Sequence, residues 1–180
     1  MSKRFAAFFS IFAVASFMAC SNVGVKTDFD PDIDFTSYKT FAWLNIDSRQ
    51  GEGTYANVEL VDQRIKRAVD EQLTDFGYTR ANNESPDFLV AYYTITNDKE
   101  RAADYGYRYF GHSHRVNDVQ VYQYDQGTLI IDIVDRKLNQ LIWRGWSSQS
   151  LDNINPTENQ IQKAVSQILN QFPPEGEDRP

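Results

Sequence analysis

The sequence predicts an α+β fold: a two-layer domain in which a mostly antiparallel β-sheet packs against two amphipathic helices. Three observations predict it. Apolar residues recur at three- and four-residue steps in two separate segments, 58–76 and 161–172. Short runs rich in β-branched and aromatic residues stand before and between them. After residue 118 such runs follow one another closely, parted by turn residues, which is the pattern of a meander. At 180 residues, 41% hydrophobic and 24% charged, the chain can bury one sizeable core but not two comfortable domains.

In chain order, residues 23–27 alternate apolar and polar and read as a first strand. Pro31 interrupts the aspartate-rich stretch 28–34, because proline is not tolerated in a central strand. Residues 40–44 form a second strand, and the Gly-containing segment 45–56 a loop. The first helix carries its stripe on Val58, Val61, Ile65, Ala68, Val69, Leu73 and Phe76, with Asn57 as N-cap and Gly77 as the left-handed residue that ends it. The charges Arg64, Lys66, Arg67, Asp70 and Glu71 fall mainly off that stripe, on a solvated face. A short strand at 78–80 and a longer one at 88–96 come next, then an aperiodic stretch, 97–118, long enough to be functional or mobile.

The meander comprises 119–124, 128–134 and 141–147, with turns at 125–127 and 136–140. Centring the second turn on Leu138 sets Asp132 opposite Arg144 as a cross-strand ion pair and turns Leu129, Ile131 and Ile133 towards the core. Trp143 and Trp146 differ in parity, so one points inward and the other to the opposite side. The last helix is expected to open on Asn155 as cap, Pro156 at its first position and Glu158 completing a capping box. Its stripe runs from Ile161 to Phe172, Pro173-Pro174 stops it, and 175–180 reads as a disordered tail.

The first twenty residues, MSKRFAAFFSIFAVASFMAC, are of another kind. Lys3 and Arg4 precede an uncharged, largely apolar run from Phe5 to Met18, too short to span a bilayer but of the length of a secretory h-region. The only cysteine, Cys20, stands at the expected cleavage point and cannot form an internal disulfide. The segment resembles a bacterial lipoprotein signal, with Phe17 where leucine is usual. The expected division is therefore a signal peptide at 1–19, an acylated N-terminus and tether at 20–22, and one domain at 23–174, with an ordinary secreted periplasmic protein as the second choice. Ser21, rather than aspartate, after Cys20 points by resemblance to outer-membrane sorting. Removing the leader would take the net charge from −7 to −9, which argues against nucleic acid and against electrostatic docking on anionic lipid.

Asp28, Asp30, Asp32 and Asp34 alternate, yet neither EF-hand register fits: position 6 would be Ile33 or Phe35, and position 12 Lys39 or Phe41. They read as strand-end and turn residues. The segment VKTDFDPDIDFTSYKTFAWL resembles the opening of the domain-of-unknown-function family DUF4136, a group of bacterial lipoproteins, through Asp28, Phe29, Asp30, Asp34, Phe35 and Tyr38-Lys39-Thr40-Phe41-Ala42-Trp43. RIKRAVDEQL, SPDFLVAY, GTLIIDIVD, LIWRGW and the closing FPP are similar to that family in the same order. The resemblance implies a secreted, lipid-anchored α+β domain and supplies no catalytic residue.

Candidate chemistry gathers in 97–118. His112 and His114 could share a metal on one strand face, with no third ligand to name, but they read first as two solvated histidines of a flexible loop, and no metal is assigned. Tyr105, Tyr107, Tyr109 and Phe110 could form a binding lip or a packed flap, and an outward Trp146 would be a further partner-site candidate. No nucleophile elbow or phosphate-binding glycine loop is present. The reading is a periplasmic lipoprotein on the outer membrane, a non-enzymatic binding or envelope-assembly module whose partner is an envelope protein or peptidoglycan. It implies no cofactor. The alternative is a small hydrolase or metal-dependent enzyme working through 97–118.

Overall fold

A computed structural model describes residues 24–44, 58–82, 85–95, 127–148, 150–151 and 155–180. Along these run β1 (Val25–Phe29), a one-turn 3-10 helix (Phe35–Ser37), β2 (Thr40–Trp43), α1 (Val58–Asp75), β3 (Thr79–Arg80), β4 (Phe88–Ile95), β5 (Thr128–Asp135), β6 (Gln140–Ser147) and α2 (Glu158–Leu169). The leader and tether, the 45–56 loop, the Asn57 cap, the 97–118 stretch and the 119–124 strand lie outside the described residues.

The strands form one six-stranded sheet in the order β1-β6-β5-β4-β2-β3. Three pairings are antiparallel, β1–β6, β5–β6 and β4–β5. The other two are parallel: β2 lies between β3 and β4. Parallel neighbours need a crossover, and α1 supplies it between β2 and β3. The α+β class and the mostly antiparallel sheet are thus as expected; the parallel edge is what the residue pattern does not display.

Both helices contribute to one core with the same sheet face. α1 buries Val61, Ile65, Ala68, Val69 and Leu73, and α2 buries Ile161, Ala164, Val165, Ile168 and Leu169. Each valine, leucine or isoleucine among them contributes roughly 1.5–3 kcal/mol on burial. Leu129, Ile131 and Ile133 join the same cluster, as the hairpin register requires. α1 ends at Gly77, whose φ of 98° suits only glycine, and an added Cβ there would meet the Pro180 carbonyl oxygen at 2.7 Å.

Two details differ from expectation. The cap of α2 is Thr157, not Asn155: its hydroxyl accepts from the Gln160 amide, while the Gln160 side chain accepts from the Thr157 backbone. Asn155-x-x-Glu158 and Thr157-x-x-Gln160 are overlapping boxes, and the second closes with Pro156 left outside the helix. The C-terminal residues also have defined contacts. The Arg179 guanidinium lies 3.5 Å from the Phe76 ring centroid and donates to the carbonyls of Phe172 and Asn170.

Gly145 is demanded by its neighbour. Trp143 and Gly145 point to the same face of β6, and the indole lies over the glycine. A Cβ at 145 would stand 2.3 Å from the indole and 2.8 Å from Ile168. Trp143 is fully buried and cannot swing away. Gly145→Ala is therefore expected to cost about 1–3 kcal/mol through overpacking. A urea midpoint equal to wild type would remove this account.

Candidate functional site

Of the residues singled out in the sequence, Cys20, Tyr105, Tyr107, Tyr109, Phe110, His112 and His114 lie outside the described residues. Trp146 is described and stands on the side opposite Trp143, as parity predicts. It does not present an open ring: it is 8% exposed and packs with Ile95, Ile130 and Tyr93 in a second apolar cluster. Trp146 faces Lys26 across the β1–β6 ladder. Its contact area goes to packing, because hydrophobic cross-strand neighbours at Ile130 and Tyr93 share its row.

The next row on this face is charged. Asp28, Arg144, Asp132 and Ala91 align across β1, β6, β5 and β4. Arg144 donates from Nε to Asp132 Oδ1 at 2.6 Å and from Nη2 to Oδ2 at 2.7 Å, with the Asp132 side chain fully buried. The sequence yields the pairing but not the burial. A carboxylate gripped on both oxygens by a guanidinium ties β5 to β6 as a strut.

The aspartate stretch behaves as turn chemistry. Asp34 caps the 3-10 helix by accepting from the Thr36 amide and hydroxyl, and Asp30 accepts from the Asp32 amide and the Gln140 side chain. Near this end of the sheet Asp135 accepts from the Tyr38 hydroxyl at 2.6 Å and from the Lys137 and Leu138 amides. Asp87 accepts from the Lys39 and Thr40 amides and the Thr40 hydroxyl. Burial alone would raise the Asp87 pKa, but the Thr40 hydroxyl and those two amides outweigh it and hold it below its usual value.

The tyrosines shift the other way. Burial, then the hydrogen bond to Asp135, pushes Tyr38 well above its ordinary value. Burial pushes Tyr78 up to about 12 against the opposing field of Arg179. Both hydroxyls therefore stay protonated, which suits Tyr38 as a donor to Asp135 and makes neither a nucleophile. Below pH 10 folded and unfolded chains alike hold these protons. Above it the unfolded chain releases them first, so stability falls as pH rises through the folded values. The melting temperature is expected to drop steeply between pH 10 and about 12, and Tyr38→Phe should shallow that slope. Equal slopes in the two proteins would rule Tyr38 out as the cause.

One arrangement is only faintly marked in the sequence pattern. Asp62, Lys66 and Asp70 succeed one another at four-residue steps on α1, at the border of the apolar stripe. The Tyr92 hydroxyl donates to Asp62 at 2.6 Å, and the Trp43 indole N–H donates to Asp70 at 2.9 Å. The two rings meet edge-to-face at 6.1 Å, with Lys66 Nζ 6.0 Å from the Trp43 ring and paired to Asp62. Arg80 pairs with the second oxygen of Asp70. The spacing of the two acidic residues along α1 was the only signal; the aromatic partners lie in β2 and β4. In this half-buried patch the rings of β2 and β4 are tied to α1 through paired carboxylates and cations.

Among the described residues, no three His, Cys, Asp or Glu side chains are gathered for a metal. No described helix is long and apolar enough to cross a membrane.

The family model for a domain of unknown function, DUF4136, matches residues 25–174. The fold is similar to the crystal structure of a DUF4136 family protein from Bacteroides thetaiotaomicron, with a TM-score of 0.52 at 18% identity, covering 83% of this chain and 95% of that one. A PDZ domain protein from Parabacteroides distasonis aligns with a TM-score of 0.51 at 18% identity over 86% of this chain, which spans 36% of that longer one. No curated protein matches the chain.

Proposed function

The chain belongs to the DUF4136 family, and from that premise we propose that it is a lipoprotein acylated at Cys20, held at the periplasmic face of the outer membrane, whose domain is a non-enzymatic binding or envelope-assembly module. The leader supports the anchor: two cations, an apolar run of h-region length, and a cysteine at the cleavage point. One acyl chain binds only marginally, at about 0.8 kcal/mol per buried methylene, so durable attachment takes more than one.

The observation that carries the binding reading is the use made of the inward carboxylates. Asp132 is locked to Arg144, Asp135 to Tyr38 and two turn amides, and Asp87 to the Lys39–Thr40 backbone. Each ties two segments of chain together, so each builds scaffold. The outer surface, with Trp43 and Tyr92 at its half-buried margin, is left for an envelope protein or peptidoglycan.

Intact-mass analysis of protein purified from its native membrane, with recovery of co-purifying envelope components, tests both halves. The expected result is cleavage before Cys20, added acyl mass and a stoichiometric partner. An unacylated mature chain overturns the anchor; bound metal with turnover of a substrate overturns the non-enzymatic module.

A further inference from the structure

The sheet registers, taken with the position of Cys20, set which end of the domain faces the lipid. Val25 pairs with Ser147, Ser147 with Leu129, and Thr128 with Ile95, so these residues lie abreast at one end of the sheet. The β5–β6 turn, with Leu138 58% exposed at its tip, lies at the other. Cys20 stands five residues before Val25. Five residues of fully extended chain reach at most about 18 Å. β6 runs from Gln140 to Ser147. At roughly 3.3 Å per residue its length is about 23 Å before the turn is added.

We infer that the anchored domain stands with its Val25–Ser147–Thr128 end against the lipid headgroups and its β5–β6 turn pointing away, towards partners. This rests on acylation at Cys20. With the turn end down, Val25 would sit more than a strand length above the headgroups, beyond the reach of the tether. The end held away from the lipid is then the one that carries Asp30, Asp34, Lys39, Asp87, Lys137 and Leu138. It carries both charge signs and one exposed leucine.

The test uses the lipidated full-length protein. Because the chain's only cysteine is Cys20, an introduced cysteine is a unique thiol for a fluorophore once Cys20 is acylated. Ser150→Cys reports on the lipid-facing end and Leu138→Cys on the turn, with Ser148→Cys and Lys137→Cys as second variants should either of the first fail to fold. The protein is bound to phosphatidylethanolamine–phosphatidylglycerol vesicles bearing a headgroup quencher. Quenching several-fold stronger at 150 than at 138 is the expected result. An acylated, vesicle-bound chain quenched equally at both, or more at 138, overturns the orientation alone. A chain without acyl mass that stays in solution overturns the anchor, and the orientation with it.

Discussion

Arg144→Met is expected to destabilise the fold by about 3–5 kcal/mol, while the double change Asp132→Leu with Arg144→Met should recover most of that loss. The asymmetry arises from burial. Asp132 is completely removed from solvent, and Arg144 meets both of its oxygens. Removing the guanidinium alone leaves a desolvated carboxylate without its bidentate partner. It also removes the cation that stands between Asp28 and Asp132 in the same row of the sheet. Removing both charges replaces a costly desolvated pair with apolar volume beside Ala91, at little net loss. Urea denaturation of the two single variants and the double variant gives the coupling directly. If the two single losses sum to the loss of the double variant, the pair is not a strut.

That pair shows what could be read from the chain alone. A turn centred on Leu138 sets Asp132 opposite Arg144, and the strands pair in that register. The helices were legible because their stripes repeat over several turns, and Gly77 because only glycine suits a φ of 98° there. The α2 cap was misplaced by two residues because two capping boxes overlap, and the hydrogen bonds that choose between them are not a matter of composition. The parallel pairing of β2 with β4 was not legible, since Trp43 and Val90 are brought together only by the crossover through α1. The same is true of the Trp43–Tyr92 patch: its carboxylates lie on one helix and its rings on two strands. Arg179 sits in a polar sequence that reads as a loose end, and its partner Phe76 is distant in the chain. Local pattern carried the elements, and tertiary contact assembled the surface.

Phe172→Ala should be comparably damaging, at about 3–5 kcal/mol. Phe172 is fully buried beyond the end of α2, where the chain would be free to leave the domain. Its ring instead meets Trp143 at 5.3 Å, Tyr78 at 5.6 Å, and Phe35 and Phe88 at 5.9 Å each. Those four partners come from β6, the residue before β3, the 3-10 helix and β4, so one side chain joins four segments far apart in sequence. Three of the contacts are edge-to-face, the geometry that adds about 0.5–1.5 kcal/mol per pair beyond area burial. Truncation forfeits those contacts and leaves a cavity that fully buried neighbours can close only in part. Phe29 is the control: it is 44% exposed and meets Phe35 at 6.4 Å. Phe29→Ala should therefore cost a small fraction of the Phe172 loss. Urea midpoints and near-ultraviolet circular dichroism of the two variants check this, with loss of aromatic signal expected for Phe172→Ala. Equal costs at the two positions would mean that the ring cluster holds without its centre and that the aliphatic contacts between the helices and sheet carry the stability.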